Sequence, residues 1–398
     1  MDGQPKISEM AIKTVNEQKL RLFNVGLAAY CFFVLFNATP MSVSTLFGKA
    51  LLWGTMMFSS FILLLIWVSF SKHSLLNIIL AILLISLSVF FLLQYQIKPV
   101  LPAVSFLLAM NSQISFEYVL KRMCQFGVII CVFVFLCCLA GLSEDNILNR
   151  DNLSIGQLEI RAHSYGFWYY STPAYFSMNL INVSLFLKRN VLTYRFLFIL
   201  IAASFVVFLL FVTRLQLFAN LILITMCFIY KVKCFRYKNW IWKYVGLLLY
   251  PSMMYLMYYL FSSKEITTSD WFLGMDIVAN GRLSINVDAF ETYPINLWGN
   301  LIEFSEGNIM EDYFYIDSGY VYSLLCYGLI FSVFLVISYS LIFIKVYKSQ
   351  EWFLYAWVFM FAFLMLFNNF MLSPLLFPLI LLLFTKNISA AVQNRTCK

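Results

Sequence analysis

The sequence predicts an all-α polytopic membrane protein, and three observations support this fold class. Hydrophobic residues make up 62% of the chain and charged residues only 12%, whereas a soluble domain carries about 25% charged residues. Apolar runs of roughly 18 residues or more recur along the chain, and each is long enough to cross a bilayer as a helix. The N-terminus is polar and basic and lacks the pattern of a cleaved signal peptide, so we expect the first helix to be retained.

The apolar runs predict about twelve transmembrane spans. They cover residues 22–39, 51–70, 75–94, 99–115, 123–142, 165–187, 193–212, 215–230, 240–261, 319–344, 352–371 and 373–385. The fourth begins with KPVLP, and the last is short and contains Pro374 and Pro378. The last two spans could instead form one helix that is broken at Asn368 and Asn369.

The distribution of basic residues predicts the orientation of these spans, because cytoplasmic segments carry an excess of lysine and arginine. If the N-terminus is cytoplasmic, the external segments carry only Lys49, Lys98, Arg150, Arg161, Arg214, Lys264 and Arg282. The remaining basic residues concentrate on the opposite side. We therefore expect both termini in the cytoplasm. The net charge of +8 is explained by these dispersed loop residues, so no nucleic-acid partner is expected.

The nine cysteines fall in apolar runs or in basic segments that are predicted to be cytoplasmic. We expect them to be reduced thiols that serve mostly in packing. The spacing of histidine, cysteine and carboxylate residues does not resemble a metal site. The sequence therefore predicts neither a metal nor another cofactor.

One long polar segment divides the chain into three parts. Residues 1–261 form a predicted bundle of about nine spans, residues 262–318 a large external loop, and residues 319–398 the C-terminal spans with a cytoplasmic tail. The loop contains ten carboxylates but only two basic residues, Lys264 and Arg282. A loop of this length is usually functional or disordered. Its many aromatic residues favour a packed lid.

Three arginines lie on the predicted external side: Arg161, Arg214 and Arg282. Each could be an interfacial anchor whose guanidinium group reaches the headgroup region. Three arginines on one face, without lysine neighbours, favour a more specific role. Guanidinium groups bind phosphate oxygens in bidentate fashion and stay charged. The pattern thus indicates an anionic ligand at the outer interface.

Two further residues are candidates for proton transfer. Asp317 precedes the predicted return of the chain to the membrane, where an aspartate can be a helix N-cap or a catalytic base. His163 lies two residues after Arg161 and is a candidate base or ligand, although a lone loop histidine is often only polar surface. The aromatic run that begins at Tyr165 is typical of an interfacial belt, and its rings could also stack on sugars.

Four segments carry ordered motifs. The matched residues are Arg161, Ser164, Gly166 and Phe167 in RAHSYGFWYYSTPA; Thr213 and Arg214 in FVTRLQLFANLIL; Gly281, Arg282 and Gly299 in GRLSINVDAFETYPINLWGN; and Asp317, Ser318, Tyr320, Leu324 and Gly328 in IDSGYVYSLLCYGLI. In this order they resemble the Wzy-type O-antigen and capsule polymerase family, which is related to the O-antigen ligases. The turn after Arg282 has one glycine where the family often has two. Ligases carry a histidine where Asp317 stands.

This resemblance implies a metal-independent, GT-C-like glycosyltransferase in the bacterial cytoplasmic membrane. Its substrates would be undecaprenyl-diphosphate-linked glycans, joined at the outer face, with membrane lipid around them and a chain-length regulator as a candidate partner. The implied catalytic residues are Asp317, Arg282 and Arg214. The implied substrate-binding residues are Arg161, His163, Tyr165, Gly281, Trp298 and Tyr320.

Two other functions fit the same pattern of spans. A flippase or polysaccharide exporter would be expected to contain internal repeats and charged residues buried in the middle of the membrane. An O-antigen ligase would transfer a finished chain, and Asp317 in place of histidine argues against it. The external position of the notable charges favours catalysis.

Overall fold

The computed structural model describes residues 4–95, 97–145, 147–149, 161–232, 240–278, 281–302, 304 and 314–385. The described chain is predominantly helical and forms two compact units. The expected class, an α-helical polytopic membrane protein, is confirmed by seven helices that are long and apolar enough to cross a membrane.

The first unit comprises Met1–Val89, Lys98–Leu221 and Pro374–Lys398. Its helices are α1 (Gln4–Asn37), α2 (Met41–Ser44), α3 (Leu46–Phe70), most of α4 (Leu75–Tyr95), α5 (Val100–Ala109), α6 (Phe116–Leu139), α7 (Ser171–Lys188), α8 (Tyr194–Phe211) and the beginning of α9 (Arg214–Val232). Short 3-10 helices occupy Met110–Ser112 and Pro378–Leu383. Two strands, β1 (Ile147–Asn149) and β2 (Arg161–His163), pair antiparallel with Leu148 opposite Ala162. This short ribbon was not expected from the sequence.

The second unit comprises Phe90–Ile97 and Ile222–Ser373. It contains the ends of α4 and α9, then α10 (Trp240–Ser262), α11 (Lys264–Thr267), α12 (Asp270–Val278), α13 (Arg282–Thr292), α14 (Gly319–Tyr322), a π-helical turn at Ser323–Tyr327, α15 (Gly328–Ser349) and α16 (Trp352–Leu364). In its core the ring of Tyr250 stacks on Tyr339 at 4.8 Å. The Tyr250 hydroxyl donates to the Val358 carbonyl at 3.0 Å, so one tyrosine joins α10 to both α15 and α16.

Several helices begin where a hydroxyl side chain satisfies an N–H group that has no partner within the helix. Thr45 Oγ1 accepts from the backbone N–H of Gly48 at 2.9 Å at the start of α3. Thr193 does the same for Phe196 at 3.2 Å at the start of α8. The apolar runs that follow these caps become long helices with many exposed apolar side chains, as expected of surfaces that contact lipid.

The expectation of about twelve spans is not supported. The seven candidate spans are Thr14–Asn37, Leu46–Phe70, Leu75–Tyr95, Phe116–Leu139, Tyr194–Phe211, Trp242–Ser262 and Gly319–Ser349. Three further apolar helices, Val100–Ser112, Arg214–Tyr230 and Trp352–Leu364, are shorter. The predicted span 165–187 becomes α7, whose buried face includes Asn179 and Asn182. The predicted span 373–385 contains only a short 3-10 helix, because its two prolines limit a regular helix.

The described part of the polar segment 262–318 contains the helices α11, α12 and α13, whereas residues 293–302, 304 and 314–318 are not helical. Aromatic side chains attach its helices to the end of α10: Phe261 contacts Phe272 of α12 at 6.4 Å and Phe290 of α13 at 6.2 Å between ring centroids. Tyr258 also contacts Phe290, at 6.3 Å. The aromatic content that predicted a packed segment therefore corresponds to packing of α12 and α13 on α10.

Candidate functional site

The first residue of α13 is Arg282, and a glycine and an aspartate fix its position. Gly281 has φ +75°, a left-handed conformation that favours glycine. Its N–H donates to the Asp276 carbonyl at 2.9 Å. The Asp276 carboxylate accepts from the backbone N–H groups of Leu283 at 2.8 Å and Ser284 at 3.1 Å. The turn between α12 and α13 thus holds the first turn of the helix that carries Arg282.

Arg282 forms an ion pair with Asp317 in this unit. The distance from Arg282 Nε to Asp317 Oδ2 is 3.1 Å, and the two side chains are 37% and 21% exposed. Asp317 Oδ1 makes no hydrogen bond with any residue that the structure describes. The pair joins the beginning of α13 to the residue that lies just before the long span Gly319–Ser349. Two residues that the sequence analysis selected separately are therefore neighbours.

Asp317 is not the N-cap of the following helix. The N-cap of α14 is Ser318, whose side chain accepts from the backbone N–H of Val321. Partial burial raises the pKa of Asp317, and the positive charge of Arg282 opposes this effect without cancelling it. The structure therefore leaves Asp317 as a partly buried, ion-paired carboxyl group whose Oδ1 has no hydrogen-bond partner among the described residues.

The backbone before Asp317 is held by an asparagine beyond the end of α16. Asn369 Nδ2 donates to the Tyr315 hydroxyl at 3.0 Å and to the Ile316 carbonyl at 3.2 Å. The N–H of Gly319 donates to the Met365 carbonyl at 2.9 Å. These contacts flank Asp317 on both sides and fix the backbone from which it projects.

Two motif glycines meet at a break in the span Gly319–Ser349. Gly299 and Gly328 have φ values of +91° and +80°. A Cβ on Gly328 would lie 2.2 Å from the Gly299 nitrogen, and a Cβ on Gly299 would lie 2.1 Å from the Cys326 carbonyl oxygen. Only glycine fits at these two positions, because the backbones are in direct contact.

The segment around Gly299 satisfies the backbone groups that the helix break exposes. The N–H of Leu329 donates to the Asn296 carbonyl at 2.9 Å. The backbone N–H and the side-chain amide of Asn300 both donate to the Leu325 carbonyl, each at 2.9 Å. The polar segment is thereby attached to the interior of a membrane span. Sequence analysis noted both glycines as motif residues and did not predict that they touch.

Three other predicted substrate-binding residues lie in this unit, and their surroundings differ. Trp298 is 50% exposed and contacts the ring of Phe90 at 6.0 Å, so its surface is open to a ligand. Gly281 acts through its backbone at the start of α13. Tyr320 is fully buried, and its hydroxyl donates to the Ala362 carbonyl at 2.9 Å. This environment gives Tyr320 a packing role and does not fit the predicted contact with substrate.

The first unit contains a second polar constellation. His163 Nδ1 lies 2.7 Å from Asp145 Oδ2. Asp145 Oδ1 accepts from the backbone N–H groups of Ser164 at 2.9 Å and Tyr165 at 2.8 Å. Burial raises the pKa of Asp145, but the hydrogen bonds from His163 and from these two N–H groups outweigh it, so the pKa lies below its ordinary value. Asp145 is therefore ionised at neutral pH and organises this turn.

The remaining two arginines belong to the first unit as well. Arg214 is the exposed first residue of α9, and the structure gives it no ion-pair partner among the described residues. Arg161 has its backbone in β2, and its side chain lies outside the described part of the structure. A clamp made by all three arginines therefore stays a prediction, whereas the Arg282–Asp317 ion pair is observed.

Sequence reasoning missed the residues that position the site: Asp145, Asp276, Asn300 and Asn369. Each acts through hydrogen bonds to a turn or to a distant backbone group. Such hydrogen bonds produce no periodic pattern in the sequence. Asp276, five residues before Gly281, could have been suspected because aspartate commonly stabilises the first turn of a helix. Asp145 and His163 are 18 residues apart, and their spacing alone predicts nothing.

The fold and these local arrangements define a polytopic α-helical membrane protein with polar sites beside its spans. Comparison of the chain with known protein families, curated proteins and solved structures finds no match.

Proposed function

We propose that this protein is a metal-independent glycosyltransferase that polymerises undecaprenyl-diphosphate-linked oligosaccharide repeat units of an O-antigen or capsule. The reaction takes place at the outer face of the bacterial cytoplasmic membrane. The observation that carries this proposal is the ion pair between Arg282 and Asp317, at 3.1 Å, just before a membrane span. The motif resemblance and the Gly299–Gly328 contact add support.

The proposed reaction assigns opposite tasks to the two side chains. The acceptor sugar hydroxyl attacks the anomeric carbon of the donor glycan, and its proton passes to Asp317 Oδ1. The bond between the anomeric carbon and the phosphate oxygen breaks, and the lipid diphosphate leaves with the electron pair. Arg282 stabilises the negative charge that develops on this leaving group. Because burial raises the pKa of Asp317, its carboxylate is a stronger base than an exposed one.

The segment that carries α12 and α13 is proposed as a lid that holds the glycan while the lipid tail stays in the bilayer. Its attachment to α10 through Phe272 and Phe290, and to the helix break through Gly299, supports a defined position for this segment. The half-exposed ring of Trp298 offers a surface for a sugar. Arg214 and Arg161 are proposed to contact the diphosphate groups of the substrates.

The distribution of buried charges favours an enzyme over a flippase or exporter. Among the described residues, the buried charged side chains are Arg189 and Glu351. Both lie at helix ends, and Arg189 pairs with Glu117 at 2.8 Å. A transport pathway would be expected to place such charges within the spans.

Deletion of the gene followed by analysis of the surface glycan tests the proposal. Loss of the polymer ladder with survival of a single-repeat species is the expected result, and the wild-type chain should restore the ladder. Loss of every surface repeat would contradict the proposal and indicate a flippase or a ligase. An epitope tag on the complementing chain controls for abundance in the membrane.

A further inference from the structure

The turn that follows β2 holds His163 in one orientation. Asp145 Oδ1 accepts the N–H groups of Ser164 and Tyr165, and Asp145 Oδ2 faces His163 Nδ1. A second contact, from Ser143 Oγ to the Gly166 carbonyl at 3.0 Å, closes the other side of this turn. Both carboxylate oxygens of Asp145 are thus engaged. Oδ1 accepts from the backbone, and Oδ2 fixes the imidazole ring of His163.

This geometry also determines which nitrogen of His163 carries the proton. An ionised carboxylate can only accept hydrogen bonds. At 2.7 Å from Asp145 Oδ2, Nδ1 must be the donor, and in the neutral ring Nε2 then carries the lone pair. The His163 side chain is 35% exposed, and Nε2 has no hydrogen-bond partner among the described residues. An acceptor nitrogen is therefore presented at a partly open surface.

An aromatic ring lies beside the imidazole ring of His163. Tyr165 has φ +50°, a conformation that a bulky residue rarely adopts and that clusters at functional sites. Its ring centroid lies 5.6 Å from that of His163, and the ring planes differ by 32°. Phe135 and Phe211 contact the same tyrosine at 5.8 Å and 5.7 Å and hold it in place. A hydrogen-bond acceptor beside an aromatic face is the combination that binds a sugar ring.

We propose that His163 and Tyr165 form a glycan-binding subsite in the first unit, with Asp145 as its positioning residue. His163 Nε2 accepts a hydrogen bond from a sugar hydroxyl, and the C–H face of that sugar packs on the ring of Tyr165. This subsite depends on the proposed polymerase function only for the identity of the glycan that it binds.

The Asp145→Asn substitution tests the positioning role directly. The two backbone N–H groups require an acceptor, so the carbonyl oxygen of the asparagine takes the place of Oδ1. Its NH₂ group then faces His163 Nδ1 and donates to it, which moves the ring proton to Nε2. The turn is preserved while the tautomer is reversed.

The tautomer of His163 can be measured directly. Because the chain has only two histidines, ¹⁵N spectra of histidine-labelled protein in nanodiscs resolve both rings. A His73→Gln variant assigns the signals.

We expect the His163 spectrum of the wild-type protein to show protonated Nδ1 and unprotonated Nε2, and that of Asp145→Asn to show the reverse. The matched control is Glu144→Gln, which removes a neighbouring exposed carboxylate and should leave the spectrum unchanged. A wild-type ring with protonated Nε2, whether neutral or fully protonated, would overturn the proposed acceptor.

Binding of the free glycan provides the second test. The probe is the repeat-unit oligosaccharide released by mild acid from the lipid-linked pool of the host, titrated into the protein in nanodiscs. Loss of one hydroxyl hydrogen bond should weaken binding about tenfold in His163→Ala. Tyr165→Ala removes the ring and should also weaken binding, whereas Glu144→Gln should bind like the wild type.

Two results would separate this proposal from the proposed function. Unchanged glycan affinity in His163→Ala would refute the subsite, whatever the ladder of the deletion strain shows. Weakened affinity in His163→Ala, together with normal polymer in the deletion strain, would support the subsite and refute the polymerase.

Discussion

Asp145 in the first unit and Asp317 in the second are both partly buried carboxylates beside a cationic or basic side chain, yet their surroundings shift the pKa in opposite directions. The pKa of Asp145 is lowered because His163 and two backbone N–H groups hydrogen-bond its oxygens. The pKa of Asp317 is raised because burial is opposed only by Arg282.

The difference shows how the number of hydrogen bonds separates a positioning carboxylate from a reactive one. A carboxylate with both oxygens engaged is a stable acceptor and holds its neighbours in place. A carboxylate with one engaged oxygen and a raised pKa can accept a proton during a reaction. We therefore propose that Asp145 orients and that Asp317 reacts, and the following predictions test that distinction.

The largest effect is expected from Asp317→Asn. The amide keeps the shape of the side chain but cannot accept a proton, so polymerisation should fall about a thousandfold. Single-repeat glycan should accumulate, and membrane abundance of the protein should be unchanged on an immunoblot. Asp145→Asn should retain far more polymerisation than Asp317→Asn. A normal ladder from the Asp317 variant would refute its assignment as the base.

Arg282→Lys should have the next largest effect. Lysine keeps the positive charge but loses the planar fork, which in the proposed reaction binds Asp317 and a phosphate group at once. We expect a loss of about a hundredfold in polymerisation rate, measured with purified protein and lipid-linked substrate. Arg122→Lys, on a partly exposed arginine that donates to Gln125 Oε1, is the matched control. If both variants polymerise equally, the guanidinium geometry of Arg282 is irrelevant.

The sequence predicted the membrane class and selected Arg282 and Asp317, because composition and motif order report these features directly. It left the role of Asp317 open between base and N-cap, since either Asp317 or Ser318 could cap the helix by residue type. It overestimated the spans, because hydropathy alone does not reveal where α16 ends or where prolines shorten a segment. The Asp145–His163 pair depends on a turn between distant residues, which periodicity cannot predict.

Ser318→Ala should have a small effect and sharpens the assignment of the cap. Its hydroxyl accepts from the Val321 N–H at the start of α14, so its loss should cost about 1 kcal/mol of stability. Thermal unfolding in detergent should show the lower midpoint, while the glycan ladder stays normal. A ladder lost from Ser318→Ala, together with a normal ladder from Asp317→Asn, would refute both the proposed base and the purely structural role of Ser318.

The smallest effects are expected in the pH dependence of stability, where the two aspartates should act with opposite sign. The folded protein binds a proton at Asp317 more tightly than the unfolded chain does, so this residue adds stability as the pH falls through its raised pKa toward the ordinary value of 3.8. The pKa of Asp145 is lowered, so the stability that Asp145 provides is present above 3.8 and is lost as the pH falls through its folded pKa.

Substitution of each aspartate removes its own contribution, while the other carboxylates cancel in the comparison with the wild type. Relative to the wild type, Asp317→Asn should therefore lose stability more steeply on acidification above pH 3.8, and Asp145→Asn less steeply below it. Unfolding midpoints in nanodiscs, measured at closely spaced pH values, give both slopes. Parallel curves for the two variants would mean that the environments of the two carboxylates do not differ, and the division between a positioning and a reacting aspartate would fail.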